Sequence, residues 1–264
     1  MPTDRRTVLR RLAGIGAGVR ELILIAVLYV AYTASRLLAS NEAAPAFHRA
    51  QVLRRIEESI ELDWEHALNV FFVHHNTLAL LSCYWYSTAH YIVTPAVLVW
   101  LYFKGRHAYI PARRALIVAT LIALALYLML PTAPPRMMDH YVDVLSIHSD
   151  QGWWGADASA PRGMGQLTNQ LAAFPSLHAG WSLWCAVALQ RHARLRVIKV
   201  LGWAGALATA IVVLGTANHW VLDVVVGWMV VIGGFVAANA FAPRLQVASP
   251  VEAPLGTEAQ QLTM

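Results

Sequence analysis

The sequence predicts an all-α, polytopic membrane protein, a bundle of six transmembrane helices, and three observations lead there. Of the 264 residues, 58% are hydrophobic and 13% charged, more apolar surface than one small soluble core can hide. The apolar residues gather in six runs of roughly 16 to 25 residues, the length a helix needs to cross a bilayer. The Lys and Arg residues sit in short clusters beside those runs. With a formal net charge of +5, that placement fits the topology rule for membrane proteins and argues against nucleic acid as a partner. Cys83 and Cys185 both lie within apolar segments, so neither a disulfide framework nor a zinc site is implied.

Residues 1–20 read as a basic cytoplasmic segment. Its Asp4-Arg5-Arg6-Thr7-Val8-Leu9-Arg10 opening is faintly like a twin-arginine export signal. The run that follows is long enough to stay in the membrane and no small-residue cleavage site is evident, so an anchor is expected. The membrane domain, 21–241, contains spans at 21–39, 84–103, 114–130, 174–189, 198–214 and 220–241. With the N-terminus inside, fourteen of the 20 Lys and Arg residues fall in cytoplasmic segments and six outside, which places both termini in the cytoplasm of a plasma membrane protein. Between the first two spans, Val52, Ile56, Ile60, Trp64 and Leu68 recur at helical spacing. An amphipathic helix over 48–72 is expected along the outer surface, either on lipid or as a packed cap. The stretch 131–173 is long, rich in Pro and Gly and carries Trp153-Trp154, so it is expected to fold back over the outer face as a lid. The polar, proline-bearing tail 242–264 reads as disordered.

Ionisable residues at a membrane boundary are costly and need a reason. Three polar islands stand at the outer ends of spans: Pro131-Thr132-Ala133-Pro134-Pro135-Arg136, Phe174-Pro175-Ser176-Leu177-His178 and Asn218-His219-Trp220-Val221-Leu222-Asp223. His219 and Asp223 are four apart and share a helix face, so a carboxylate can hold one ring nitrogen and leave the other free for attack on phosphorus. His178, from another helix, is placed to protonate a departing alkoxide. Ser176 sits just after Pro175 at a helix start, where free amides favour phosphate, and Arg136 offers a planar cation for two phosphate oxygens. Each element alone has a plain packing or anchoring explanation, and His90 within the second span fits that one. Arg162, His74, His75, His140 and His148 read as solvated loop residues. Three polar islands on one membrane face are harder to explain as accidents.

Pro175-Ser176-Leu177-His178, followed by His219 and Asp223, with Pro135-Arg136 upstream, resembles the type 2 phosphatidic acid phosphatase (PAP2) superfamily of lipid phosphatases and phosphotransferases. The resemblance runs from the third span to the sixth. It implies a phosphohistidine at His219 supported by Asp223, leaving-group protonation by His178, phosphate held by Arg136 and Ser176, and no cofactor. Three positions depart from the family pattern: Met129 stands where a lysine is usual, Leu177 where glycine is usual, and Val212-Val213 where Ser-Arg is usual. The Pro-Pro-Arg and Thr-Ala-Asn-His wording is closer to the branch containing inositol phosphorylceramide synthases, which pass a phospho-headgroup to an acceptor alcohol.

Hydrolysis of a phosphorylated lipid on the outer face is thus the leading expectation, with headgroup transfer as its variant. A two-histidine, one-carboxylate metal site from His178, His219 and Asp223, a Ser176–His219 protease dyad, and a non-catalytic lipid-binding protein are the readings from other classes. The expected partners are a lipid phosphate and membrane lipids; assembly into a homo-oligomer is left open.

Overall fold

The computed structural model describes residues 43–155, 158–162 and 169–240, with 19, 23 and 30 as isolated helical positions. The expected first span, the basic N-terminal segment and the polar tail otherwise lie outside the described residues. The described chain is helical: α1 (Ala43–Ser59), α2 (Trp64–His74), α3 (Asn76–Lys104), α4 (Arg106–Met129), the short α5 (Val144–Ile147), α6 (Leu177–His192), α7 (Arg196–Gly215) and α8 (Val221–Ala240). A small antiparallel hairpin, β1 (Trp154–Gly155) with β2 (Ala158–Pro161), interrupts the long connection from α4 to α6.

Among the described residues, α4, α7 and α8 are long and apolar enough to cross a membrane. They correspond to the expected third, fifth and sixth spans. The expected second span lies within the 29-residue α3 and the expected fourth overlaps α6, but neither meets both criteria. With 16 residues, α6 reaches only about 24 Å, short of a typical hydrocarbon core.

Local chemistry explains where the chain turns. Gly105, at φ 111°, occupies a backbone region open mainly to glycine and reverses the chain between α3 and α4. The α6 helix starts at Ser176, whose hydroxyl accepts from the Ala179 amide at 3.3 Å. It ends with Arg191 and His192 in the last turn, where positive charge complements the helix dipole.

Helix α8 packs against both α4 and α6. Small residues permit the approach: a Cβ at Gly227 would lie 2.3 Å from the Ser176 carbonyl oxygen, and one at Gly234 would lie 2.6 Å from that of Ala115. These glycines are seven residues apart and share one face of α8, as expected where helix backbones approach within a membrane. One apolar cluster joins α3, α4, α6 and α8 around Leu101, Ala115, Trp184 and Phe235. A second joins α3, α5, α7 and α8 around Cys83, Trp154 and Val213. The third, Ala46, Ala50, Ala133, Leu171, Ala173 and Trp220, lies where α1, the two ends of the 131–173 connection and the start of α8 meet.

Two expectations for the outer connections are refined. The 48–72 helix is broken into α1 and α2 at the bend around Glu61, which has φ 57°. Its apolar stripe, Val52, Ile56, Ile60 and Trp64, is exposed, while the face turned to the protein carries Ala46, Ala50 and Glu57. The 131–173 connection is tied down in its described parts. Thr132 N donates to Leu171 O at 2.7 Å, Ala173 N donates to Thr132 O at 3.2 Å, and the buried Trp154 donates through Nε1 to Leu145 O at 2.9 Å. His148 within it is buried, contrary to the solvated-loop expectation, because the chain folds back on itself there.

Candidate functional site

The turn that presents His219 is set by the end of α7. Asn218 N donates to Val213 O at 3.1 Å and Ala217 N to Leu214 O at 2.9 Å, while Ala217 adopts φ 56°. This is a Schellman closure with alanine in the left-handed position that glycine usually fills. Asn218 locks it further by donating to the oxygens of Thr216, the carbonyl at 3.2 Å and the hydroxyl at 3.0 Å. The chain then enters α8, where Asp223 Oδ2 accepts from Trp220 N at 2.8 Å, reaching back three residues to cap its own helix. Trp220 is fully buried, its Nε1 donating to Ala133 O at 2.9 Å.

His219 Nδ1 lies 2.8 Å from Ala173 O and 3.4 Å from Asp223 Oδ2. A carbonyl only accepts, so Nδ1 carries the proton and Nε2 keeps its lone pair. The shorter contact goes to the carbonyl, and the carboxylate contributes chiefly its charge. Sequence spacing identified Asp223 but not Ala173, because a main-chain partner leaves no mark in residue identity. His219 and Asp223 are both buried, and Asp223 Oδ1 has no hydrogen-bond partner.

The other two islands meet this one. Ser176 N donates to Asp223 O at 2.9 Å, joining the start of α6 to the first turn of α8, and Tyr127 donates its hydroxyl to Pro175 O at 2.7 Å. The Ser176 side chain is occupied as a helix cap, so the phosphate-binding capacity of this corner resides in the first-turn amides rather than in a free hydroxyl pair. Arg136 N donates to Ala217 O at 2.7 Å, which brings the arginine beside the histidine turn. Its side chain is 6% exposed; Nε lies 3.5 Å from Asp143 Oδ2, and Nη1 is buried without a hydrogen-bond partner.

The His178 and His219 rings are 5.9 Å apart between centroids. His178 is stacked on Tyr86 at 4.4 Å and meets His90 edge-on at 4.3 Å. His90, which alone reads as packing, thus packs on a candidate site residue. A cavity of about 250 Å³ runs between α3, α6 and α7, lined by His178 itself, His90, Cys185, Leu201, Gly205 and Val213 among other, mostly apolar residues. His178, His219 and Asp223 do not form a group that could hold a metal ion; no such group of His, Cys, Asp or Glu occurs among the described residues.

Beneath α8 lies a feature that sequence reasoning missed. Glu57 from α1 accepts from Leu222 N at 2.6 Å, adding a second carboxyl cap to the first turn of α8. Glu57 is fully buried, as is Glu65 from α2.

These elements describe a helical, apolar protein with a buried histidine–aspartate pair, a second histidine ring 5.9 Å away and an arginine whose amide is held by the histidine turn. A family model for the PAP2 superfamily matches residues 51–237, and the chain belongs to that superfamily. Its members are phosphoesterases and phosphotransferases, which makes an enzyme the supported class. No curated protein and no solved structure matches the chain.

Proposed function

We propose that this protein is an integral membrane phosphatase that hydrolyses a phosphorylated lipid through a phosphohistidine at His219. The observation that carries the reading is the fixed imidazole: Nδ1 is held by Ala173 O with Asp223 beside it, which leaves Nε2 as the nucleophile. In the first step Nε2 forms a bond to phosphorus as the phosphorus–alkoxide bond breaks, and His178 delivers a proton to the departing oxygen. In the second, water attacks the phosphohistidine with His178 taking its proton, the P–N bond breaks, and phosphate leaves. Asp223 stabilises the positive charge that develops on His219. Arg136, with a buried nitrogen otherwise unsatisfied, and the amides at the start of α6 take the phosphate oxygens.

The mostly apolar cavity supports a lipid as the alcohol, because His178, the group that protonates the leaving oxygen, is itself part of its lining. The topology that accompanies this reading has six spans, both termini in the cytoplasm and the site at the outer face of the plasma membrane. The exposed Val52, Ile56, Ile60 and Trp64 stripe supports α1 and α2 lying in the membrane interface beside the site.

The test is phosphate release from a panel of lipid phosphates and diphosphates in detergent or vesicles, with His219→Ala as the blank. Turnover that is lost in His219→Ala, blocked by vanadate and indifferent to chelators is the expected result. Full activity in His219→Ala would refute the mechanism, and loss on chelation would count against turnover without a metal. Added acceptor alcohols that divert product from free phosphate would reassign the enzyme as a headgroup transferase.

A further inference from the structure

Glu57 and Glu65 form an unusual pair. Each is fully buried, they come from successive helices, and their carboxyl groups lie close enough to act on each other. The outer oxygens of both are taken: Glu57 Oε1 accepts from Leu222 N at 2.6 Å, and Glu65 Oε1 accepts from the Tyr141 hydroxyl at 3.1 Å. The remaining oxygens, Glu57 Oε2 and Glu65 Oε2, are buried without a hydrogen-bond partner. Two carboxylates cannot satisfy each other, since both only accept, whereas one shared proton satisfies both. The groups that act on the pair are Asp223 and Asp63, which repel negative charge, together with Tyr141 and the Arg54 guanidinium. Arg54 is committed to Glu58 at 2.7 Å on the exposed side of α1. The pair therefore joins four pieces: α1, α2, the connection carrying Tyr141, and the first turn of α8 in which Asp223 sits.

We propose that Glu57 is a positioning residue for the His219–Asp223 pair, holding the first turn of α8 through Leu222 N only while one proton is shared between Glu57 and Glu65. Loss of that proton sets two buried negative charges against each other and adds one beside Asp223, so the joint between the outer helices and α8 opens. This deepens the phosphohistidine reading and rests on it for its effect on turnover. Burial raises both acids from their ordinary 4.5, Glu65 to about 7 and Glu57 to about 9, each further raised by neighbouring carboxylates, so the shared-proton form persists through neutral pH.

The experiment is the pH profile of kcat/KM for lipid phosphate hydrolysis, in wild type, Glu57→Gln and Glu57→Ala, beside thermal unfolding of the same proteins from pH 5 to 9. Glutamine keeps an oxygen for Leu222 N and a fixed donor for Glu65, mimicking the shared-proton state. It should retain most of the activity near neutral pH and move the alkaline fall upward by a pH unit or more. Alanine should lower kcat by about tenfold or more, the scale expected when a reacting group is misplaced. An acid whose affinity for protons is raised by folding makes stability fall as pH climbs from about 4.5 towards the raised value, so wild type should lose stability from pH 5 to 9 and Glu57→Gln should lose less. An alkaline limb unchanged in Glu57→Gln, or identical unfolding slopes, would overturn the inference even if Glu57→Ala fails to fold. If wild type and His219→Ala release phosphate equally, the catalytic reading fails instead, and the unfolding slopes still decide the pair.

Discussion

Gly227→Ala isolates the link between helix packing and the site. The added Cβ would sit 2.3 Å from the Ser176 carbonyl oxygen, where ordinary contact begins at 3.4 Å. The obstacle is backbone at the cap of α6, which cannot rotate away as a side chain would, so α6 and α8 must separate by about 1 Å, the scale of misplacement that costs on the order of 100-fold in rate. Ser176 and His178 ride on α6 while His219 and Asp223 belong to α8, so the displacement falls across the two imidazoles. Overpacking of this kind also costs about 1–3 kcal/mol of stability. Gly233→Ala is the control, because a Cβ there meets nothing within 4 Å. The assay is phosphate release from a lipid phosphate together with thermal unfolding in detergent. Gly227→Ala should lose about 100-fold in kcat and Gly233→Ala should match wild type in rate. Equal rates for the two variants would show that the α6–α8 spacing does not set the site.

Arg136→Lys should lower kcat/KM by about tenfold or more, since a point charge cannot reproduce the planar fork; steady-state kinetics on one lipid phosphate checks it. Gly205→Phe should place a ring in the cavity, because a Cβ there has open space around it. KM should rise for long-chain substrates and stay near wild type for short-chain ones, and a chain-length series reads the difference. Ala217→Gly should raise the melting temperature by relieving about 1–2 kcal/mol of left-handed backbone strain, with little change in rate, as measured by thermal unfolding beside the activity assay.

Much of the site is legible from residue spacing because its side chains come from short, local patterns. The i,i+4 relation of His219 and Asp223 survives in the 3.4 Å contact, and the helix start expected after Pro175 is there, with Ser176 as its cap. Arg136 reaches the same corner because its own amide is held by Ala217 O. What spacing does not reveal is tertiary. The Ala173 carbonyl has no identity in sequence, and Glu57 stands among the Arg and Glu residues on the polar faces of the expected amphipathic helix. Glu58 pairs with Arg54 at the surface, whereas Glu57 beside it is buried. A usable signal was the small-residue stripe Ala46 and Ala50, which continues one turn pair later to Glu57 and marks the face turned to the bundle. The apolar stripe of the same helix drew attention to the opposite face, since in a membrane protein the greasiest surface is often the one turned away from the protein core. Likewise α6 carries too many polar groups and too few residues to read as a clear span, because its first turn carries the chemistry.

The turn holding His219 is closed by the terminal carbonyls of α7, and that same helix forms one wall of the cavity that His178 lines. If the substrate is the phosphorylated lipid proposed above, headgroup chemistry and tail accommodation share a single lever. A hydrocarbon chain that tilted α7 as it entered would re-aim the imidazole, and turnover would then gauge how well the hydrocarbon fits as well as what it carries.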